Sequence, residues 1–233
     1  MKRNQSGFTL IEIAIVLVII GLLLGGVLKG QELINSAKVK NLATDFKNIP
    51  VYIYGYQDKF RALPGDDKAA DTHVGGTVCT DAANICATGN GVIEGAWNAN
   101  ADTTESYLFW QHVRLASLAT GSTTTGAADY IPVNAAGGII GIMSGTTDVT
   151  KAAINDGASP AVAIRGSYVI CSTGILGKFV KQLDLQMDDG NTAGGSMMAT
   201  PVSSYTIGAA ATTAATANNN IDDAASYIVC MGV

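Results

Sequence analysis

Gly7-Phe8-Thr9-Leu10-Ile11-Glu12-Ile13-Ala14-Ile15-Val16-Leu17-Val18-Ile19-Ile20-Gly21-Leu22-Leu23-Leu24-Gly25-Gly26-Val27-Leu28 decides how the rest of the chain is read. It is an apolar run that carries one charge, Glu12, behind a short polar leader with Lys2 and Arg3. Twenty-one residues from Phe8 to Leu28, at about 1.5 Å each, make a helix roughly 30 Å long, the thickness of a bilayer's hydrocarbon core. The segment can therefore span a membrane, with the basic leader on the cytoplasmic side. A cleaved secretory signal would need a shorter apolar stretch and a small-residue cleavage site after it, and neither is present. An ionised carboxylate in lipid costs several kcal/mol unless it is paired, which makes Glu12 a functional residue by default.

Gly7-Phe8-Thr9-Leu10-Ile11-Glu12 resembles the processing motif of type IV prepilins and of the related pseudopilins of type II secretion. The resemblance implies cleavage between Gly7 and Phe8 by a prepilin peptidase and N-methylation of the new Phe8 amine. It also implies that Glu12 pairs with the Phe8 amine of a neighbouring subunit during assembly. The partners it implies are identical or related pilins in a polymer, the prepilin peptidase, the inner-membrane assembly machinery and, before assembly, membrane lipid. The implied location is the inner membrane and then a surface fibre. Arg61-Ala62-Leu63-Pro64-Gly65-Asp66 resembles the helix-to-head junction of a subset of pilin-like proteins, and Leu183 to Asn191 resembles heads that carry that junction.

The amphipathic pattern continues past the span. Leu42, Phe46, Ile49, Ile53, Tyr56 and Phe60 recur at alternating intervals of four and three, which lays one apolar stripe along a helix and supplies a docking face for a sheet. Pro50 removes the bond to the Phe46 carbonyl and predicts a kink. Leu63-Pro64-Gly65-Asp66-Asp67 predicts the helix end. The organisation expected is a leader at 1–7, a transmembrane and assembly helix at 8–28, an amphipathic stem at 29–62 and a globular head at 63–233. The fold class expected is α+β, a long N-terminal helix packed on an antiparallel sheet.

Within the head, 68–100 reads as a Gly- and Asn-rich loop region, and Thr104–Ala119 and Lys178–Gln186 as helices. Strand candidates are Tyr130–Val133, Gly138–Met143, Ala161–Ser172, Thr200–Ile207 and Ser226–Met231. Ala209–Asn220, a Thr/Ala/Asn tract, reads as an exposed loop. Four cysteines in an exported chain predict two disulfides, for which three connectivities exist. Cys79 and Cys86 are close in sequence. Cys171 and Cys230 end two look-alike segments, Ser167-Tyr168-Val169-Ile170-Cys171 and Ser226-Tyr227-Ile228-Val229-Cys230, and that likeness favours pairing 79 with 86 and 171 with 230.

The net charge of -5 is unevenly placed. Residues 29–61 hold six basic and three acidic side chains, while residues 62–233 hold six basic and fifteen acidic ones. An acidic head disfavours strong electrostatic binding of nucleic acid. No nucleophile elbow, zincin motif or P-loop occurs, so no catalytic residue and no cofactor is assigned and the chain reads as a non-enzyme. His112 reads as a structural helix residue and His73 as a loop residue. Zinc is disfavoured because no Cys-x-x-Cys pair occurs. Calcium is the better metal candidate, at Asp66/Asp67/Asp71, Asp184/Asp188/Asp189 or Asp222/Asp223. Acids in turns most often face water, however, and no metal ligand is assigned. The function implied is that of a structural pilus subunit. The alternatives are a pseudopilin or a minor, tip-located pilin that acts in adhesion or binding.

Overall fold

A computed structural model describes residues 9–80, 86–204 and 213–233. Contacts divide the chain at Lys38/Val39 into two compact units. Helix α1 spans Leu10–Phe60 and continues through Pro50, so the proline does not end it. In the first unit the helix is apolar on all sides as far as Leu28 and nothing covers it: Leu10, Ile11, Leu17, Leu22 and Leu28 are each more than 60% exposed. By length and composition this part of α1 is able to cross a membrane.

In the second unit the helix is one-sided. Leu42, Phe46, Ile49, Ile53 and Tyr56 are at most 2% exposed and lie on the inward face, whereas Val51 and Tyr54 are 63% and 61% exposed on the outward one. Removing such side chains from water contributes about 1.5–3 kcal/mol each, which makes this stripe a large share of the head's stability. The C-terminal part of the predicted stem is thus an integral core element of the second unit.

The remaining elements are α2 (Ala70–His73), α3 (Glu105–Leu115), β1 (Ile140–Ser144), β2 (Ile154–Asn155), β3 (Tyr168–Leu176), α4 (Gly177–Met187), β4 (Met197–Pro201), β5 (Thr213–Ala214) and β6 (Ser226–Gly232). The main sheet is antiparallel, in the order β1-β3-β6-β4. Alternate residues serve its two faces, as a strand's period of two requires. Ile140, Ile142, Ile170, Met197, Ala199, Val229 and Met231 pack with the α1 stripe and with Phe109 and Val113 of α3. Met143, Val169, Cys171, Met198, Ile228 and Cys230 form the opposite cluster with Trp97, Ile154 and Ile164. The α+β class with a long N-terminal helix and an antiparallel sheet is therefore the architecture found.

Several local expectations are corrected. Tyr130–Val133 is not a strand. Pro132 lacks an N–H, and the segment only offers its carbonyl to Ile140 N (2.9 Å) and a single bridge from Val133 to Ile139. Ala161–Ser172 begins its ladder only at Tyr168, because Gly166 (φ +156) breaks it; Ala163 bridges instead to Asn155. Thr200–Ile207 ends its ladder at Pro201 and turns at Val202–Ser204, and 205–207 lie outside the described residues. Within the tract read as an exposed loop, Thr213–Ala214 pairs in parallel with β2, while 209–212 lie outside the described residues. Helix α3 stops four residues early. Ser117 adopts φ +63, and Leu118 N donates to Val113 O at 2.9 Å, a left-handed helix stop.

Cys171 and Cys230 face each other directly across β3 and β6 and are bonded, and Cys79 is bonded to Cys86. Closing a loop of 59 residues constrains the unfolded chain, so the double variant Cys171→Ala/Cys230→Ala should lose about 2–5 kcal/mol, read by urea unfolding in detergent. In the same assay Ile53→Ala should lose about 2–5 kcal/mol through the cavity it leaves. Val51→Ala, on the opposite face of the same helix, should stay within about 0.5 kcal/mol.

Candidate functional site

Gly7 and Phe8 lie outside the described residues. The visible part of the N-terminal site begins at Thr9, where the chain enters α1. Thr9 N donates to Glu12 Oε2 at 2.8 Å, Thr9 Oγ1 donates to the same oxygen at 2.6 Å, and Glu12 N approaches Thr9 Oγ1 at 3.4 Å. This is a reciprocal capping box, in which a Thr and a Glu three residues apart satisfy the open N–H groups at a helix start. The carboxylate is therefore engaged within its own chain. Thr9 is the partner of Glu12 that the sequence reading did not single out, although the Thr-x-x-Glu spacing at 9–12 was its signal.

A second polar assembly sits where the chain leaves α1. Helix α1 ends at Phe60, and Arg61 takes a left-handed conformation (φ 57) with its N–H on Gln57 O at 2.9 Å. Gly65 follows with φ +92, and a side chain there would meet the Glu105 carbonyl, so the Pro-Gly-Asp junction needs its glycine. Gly65 N donates to His112 Nδ1 at 2.9 Å, which leaves the proton on Nε2 to donate to Thr77 O at 2.8 Å. His112 is fully buried, and burial pushes its pKa down. It is a neutral residue with both nitrogens occupied, and it ties the junction to α3.

The two junction acids are buried as well. Asp66 accepts the N–H groups of Gly89, Asn90 (3.1 Å) and Gly91 (2.7 Å), and so folds the 89–91 loop around one carboxylate. Burial raises its pKa, against those three N–H groups. Asp67 Oδ2 accepts Tyr56 Oη at 2.8 Å and pairs with His73 Nδ1 at 2.7 Å, while its Oδ1 accepts Ala69 N at 2.9 Å. Burial works against the Asp67 charge, but the His73, Ala69 and Tyr56 contacts outweigh it and hold the pKa below the ordinary carboxylate value. His73 thus ends the one-turn helix α2 hydrogen-bonded to Asp67 and is not a free loop residue.

The other candidate calcium acids also serve as turn acceptors. Asp188 Oδ2 receives Ser196 N and Met197 N at 2.6 and 2.8 Å, Asp189 receives Asn191 N, Asp222 receives Ala224 N, and Asp223 pairs with Lys181 at 2.8 Å. Among the described residues no three His, Cys, Asp or Glu side chains come together to hold a metal ion. Two acids stand apart. Asp184 is fully buried, and burial, with the charges of Asp188 and Asp189, pushes it up to about 7. Glu105, at the start of α3, is fully buried; its Oε2 accepts Glu94 N at 3.0 Å and its Oε1 has no hydrogen-bond partner among the described residues.

Burial above all, with the charges of Asp66 and Glu94, pushes Glu105 up to about 8. The folded state therefore keeps a proton that the unfolded chain has lost. The stability held below the ordinary carboxylate pKa falls as pH rises towards about 8. Glu105→Gln keeps the shape without the charge. It should melt with the parent protein at pH 5 and at a clearly higher temperature than the parent at pH 8, as read by thermal denaturation at both values.

Residues 2–28 match the family described as the prokaryotic N-terminal methylation motif. Neither a curated protein nor a solved structure matches the chain.

Proposed function

We propose, from the premise that residues 2–28 carry the leader signature of type IV pilins and pseudopilins, that the protein is a structural subunit of a type IV pilus fibre. In this reading a prepilin peptidase cuts between Gly7 and Phe8, the Phe8 amine is methylated, and the exposed apolar part of α1 moves from lipid into a bundle of like helices. The observation that carries the reading is the co-occurrence of that leader with a helix that is apolar on every side up to Leu28 and one-sided from Val39. The first part needs an apolar surrounding and the second already has one in its own head.

The Thr9–Glu12 box refines the role of the acid. In a lone subunit the carboxylate is held by Thr9, so assembly exchanges two local hydrogen bonds for an ion pair with a neighbour's Phe8 amine. A carboxylate and an ammonium in an apolar bundle stabilise each other strongly only as a pair, and removal of one strands the other.

Glu12→Val should leave a membrane-anchored, disulfide-bonded and protease-resistant head while fibre yield falls sharply. Gly7→Val should accumulate the uncleaved chain. Both are read by comparing membrane levels with sheared fibres. Normal fibres from Glu12→Val would contradict the pairing, and fibres seen only when a secretion apparatus is overproduced would assign the chain to the pseudopilins.

A further inference from the structure

Asp184 lies in the last turn of α4 and is fully buried. Neither of its oxygens makes a full hydrogen bond among the described residues, and only the Gly190 N–H gives partial relief. A buried polar group in that state is costly, and a buried charge far more so. Asp188 follows four residues on, at the C-cap, and Asp189 comes next. Three acids thus gather where the helix dipole is negative and where like charges at i and i+4 repel. The two lysines of α4 are engaged elsewhere: Lys181 pairs with Asp223 at 2.8 Å, and Lys178 lies over the Phe179 ring. The strands packed on α4, β3, β4 and β6, bring no charged side chain and only the phenols of Tyr168 and Tyr227. The 221–225 segment brings two more acids, Asp222 and Asp223.

The end of α4 holds a turn, 188–197, that covers an edge of the main sheet. Asp188 Oδ2 accepts both Ser196 N and Met197 N, and Asp189 accepts Asn191 N. A side chain at Gly195 would run into the Asp188 carboxylate, so the turn closes directly over that group. Further along, Thr192 O accepts Ala199 N at 2.9 Å, and Ser196 O accepts Gly232 N at 2.8 Å. Ala199 belongs to β4, the last strand of the main sheet. An uncovered edge strand offers its N–H and C=O groups to any other chain.

We infer that the end of α4 is an acid-closed latch: with a proton on Asp184 the 188–197 turn lies over the outer edge of β4, and without it the turn opens and frees Ala199 N. Burial, with the charges of Asp188 and Asp189, holds the Asp184 pKa up at about 7 in the closed form. An opened, solvated carboxyl returns to its ordinary value of about 4. Between these values the closed form keeps a proton that the open form has lost. The open fraction therefore rises by up to about ten-fold per pH unit over that range, and it levels off above about 7.

The test is backbone hydrogen exchange read by mass spectrometry, on the full-length chain in detergent micelles with a chelator present. It is run from pH 5 to pH 9 and corrected for the intrinsic exchange rate at each pH. Protection of the 191–199 amides should fall by up to about ten-fold per pH unit from pH 5 to about pH 7 and then hold steady, while the β3 amides stay better protected throughout. Asp184→Asn, which keeps the shape of the protonated acid, should abolish the fall. Asp189→Asn removes an exposed neighbouring charge and can still accept Asn191 N through its side-chain oxygen; it should make the fall smaller. Protection of 191–199 that does not change with pH, a fall as steep in Asp184→Asn as in the parent, or opening no easier than that of β3 would overturn the latch.

Discussion

The arrangement depends on a change of pattern along a single helix. Up to Leu28 the large apolar side chains of α1 point in every direction and are all exposed in the lone chain. From Val39 the buried apolar residues, Val39, Leu42, Ala43, Phe46, Ile49, Ile53 and Tyr56, fall on one face of the helix. A helix that is apolar all round can be stable only in lipid or inside a bundle, while a striped helix is at home against a sheet. The chain therefore carries one completed hydrophobic interface and one unfulfilled one, and the unfulfilled one drives membrane insertion and assembly in the proposed function.

The completed interface is fixed at its far end by polar groups. Tyr56 is the last buried residue of the stripe, and its hydroxyl reaches Asp67. Asp66 folds the 89–91 loop, and His112 joins Gly65 to Thr77. Buried groups of this kind are costly when unpaired and specific when paired. The network thus sets the register in which α1 meets α2 and α3 in a way that apolar packing alone would not. Arg114 and Tyr130, both buried, are also tied in: the guanidinium donates to the Thr120, Ser122 and Tyr130 carbonyls, and Gln111 N donates to the Tyr130 hydroxyl.

The features that the sequence revealed were those with a period or a marked local chemistry. The α1 stripe showed itself through its 4,3 spacing, and the look-alike segments ending in Cys171 and Cys230 became adjacent antiparallel strands with those residues face to face. The errors came where backbone conformation overrides side-chain type. Tyr130–Val133 and Thr200–Ile207 are rich in β-formers, yet the first, which holds Pro132, makes only the Val133–Ile139 bridge, and the second ends its ladder at Pro201. Ala161–Arg165 is set apart from β3 by the conformation of Gly166. At the N-terminal site Glu12 stood out because a lone acid in an apolar run is conspicuous. Its partner Thr9 did not, because a threonine there reads equally well as an ordinary helix residue. Nor does a composition-based reading reveal a left-handed arginine or a buried protonated glutamate, since both arise from neighbours distant in sequence.

The central claim is that the chain is cut between Gly7 and Phe8 and that the exposed apolar part of α1 then passes from lipid into a polymer. The most direct measurement is mass spectrometry of the N-terminal peptide of this chain from fibres sheared off the cell surface. The account predicts a peptide that begins at Phe8 and is one methyl group heavier than the unmodified sequence. An intact Met1 on chains within assembled fibres, or a terminus downstream of Glu12, would contradict it.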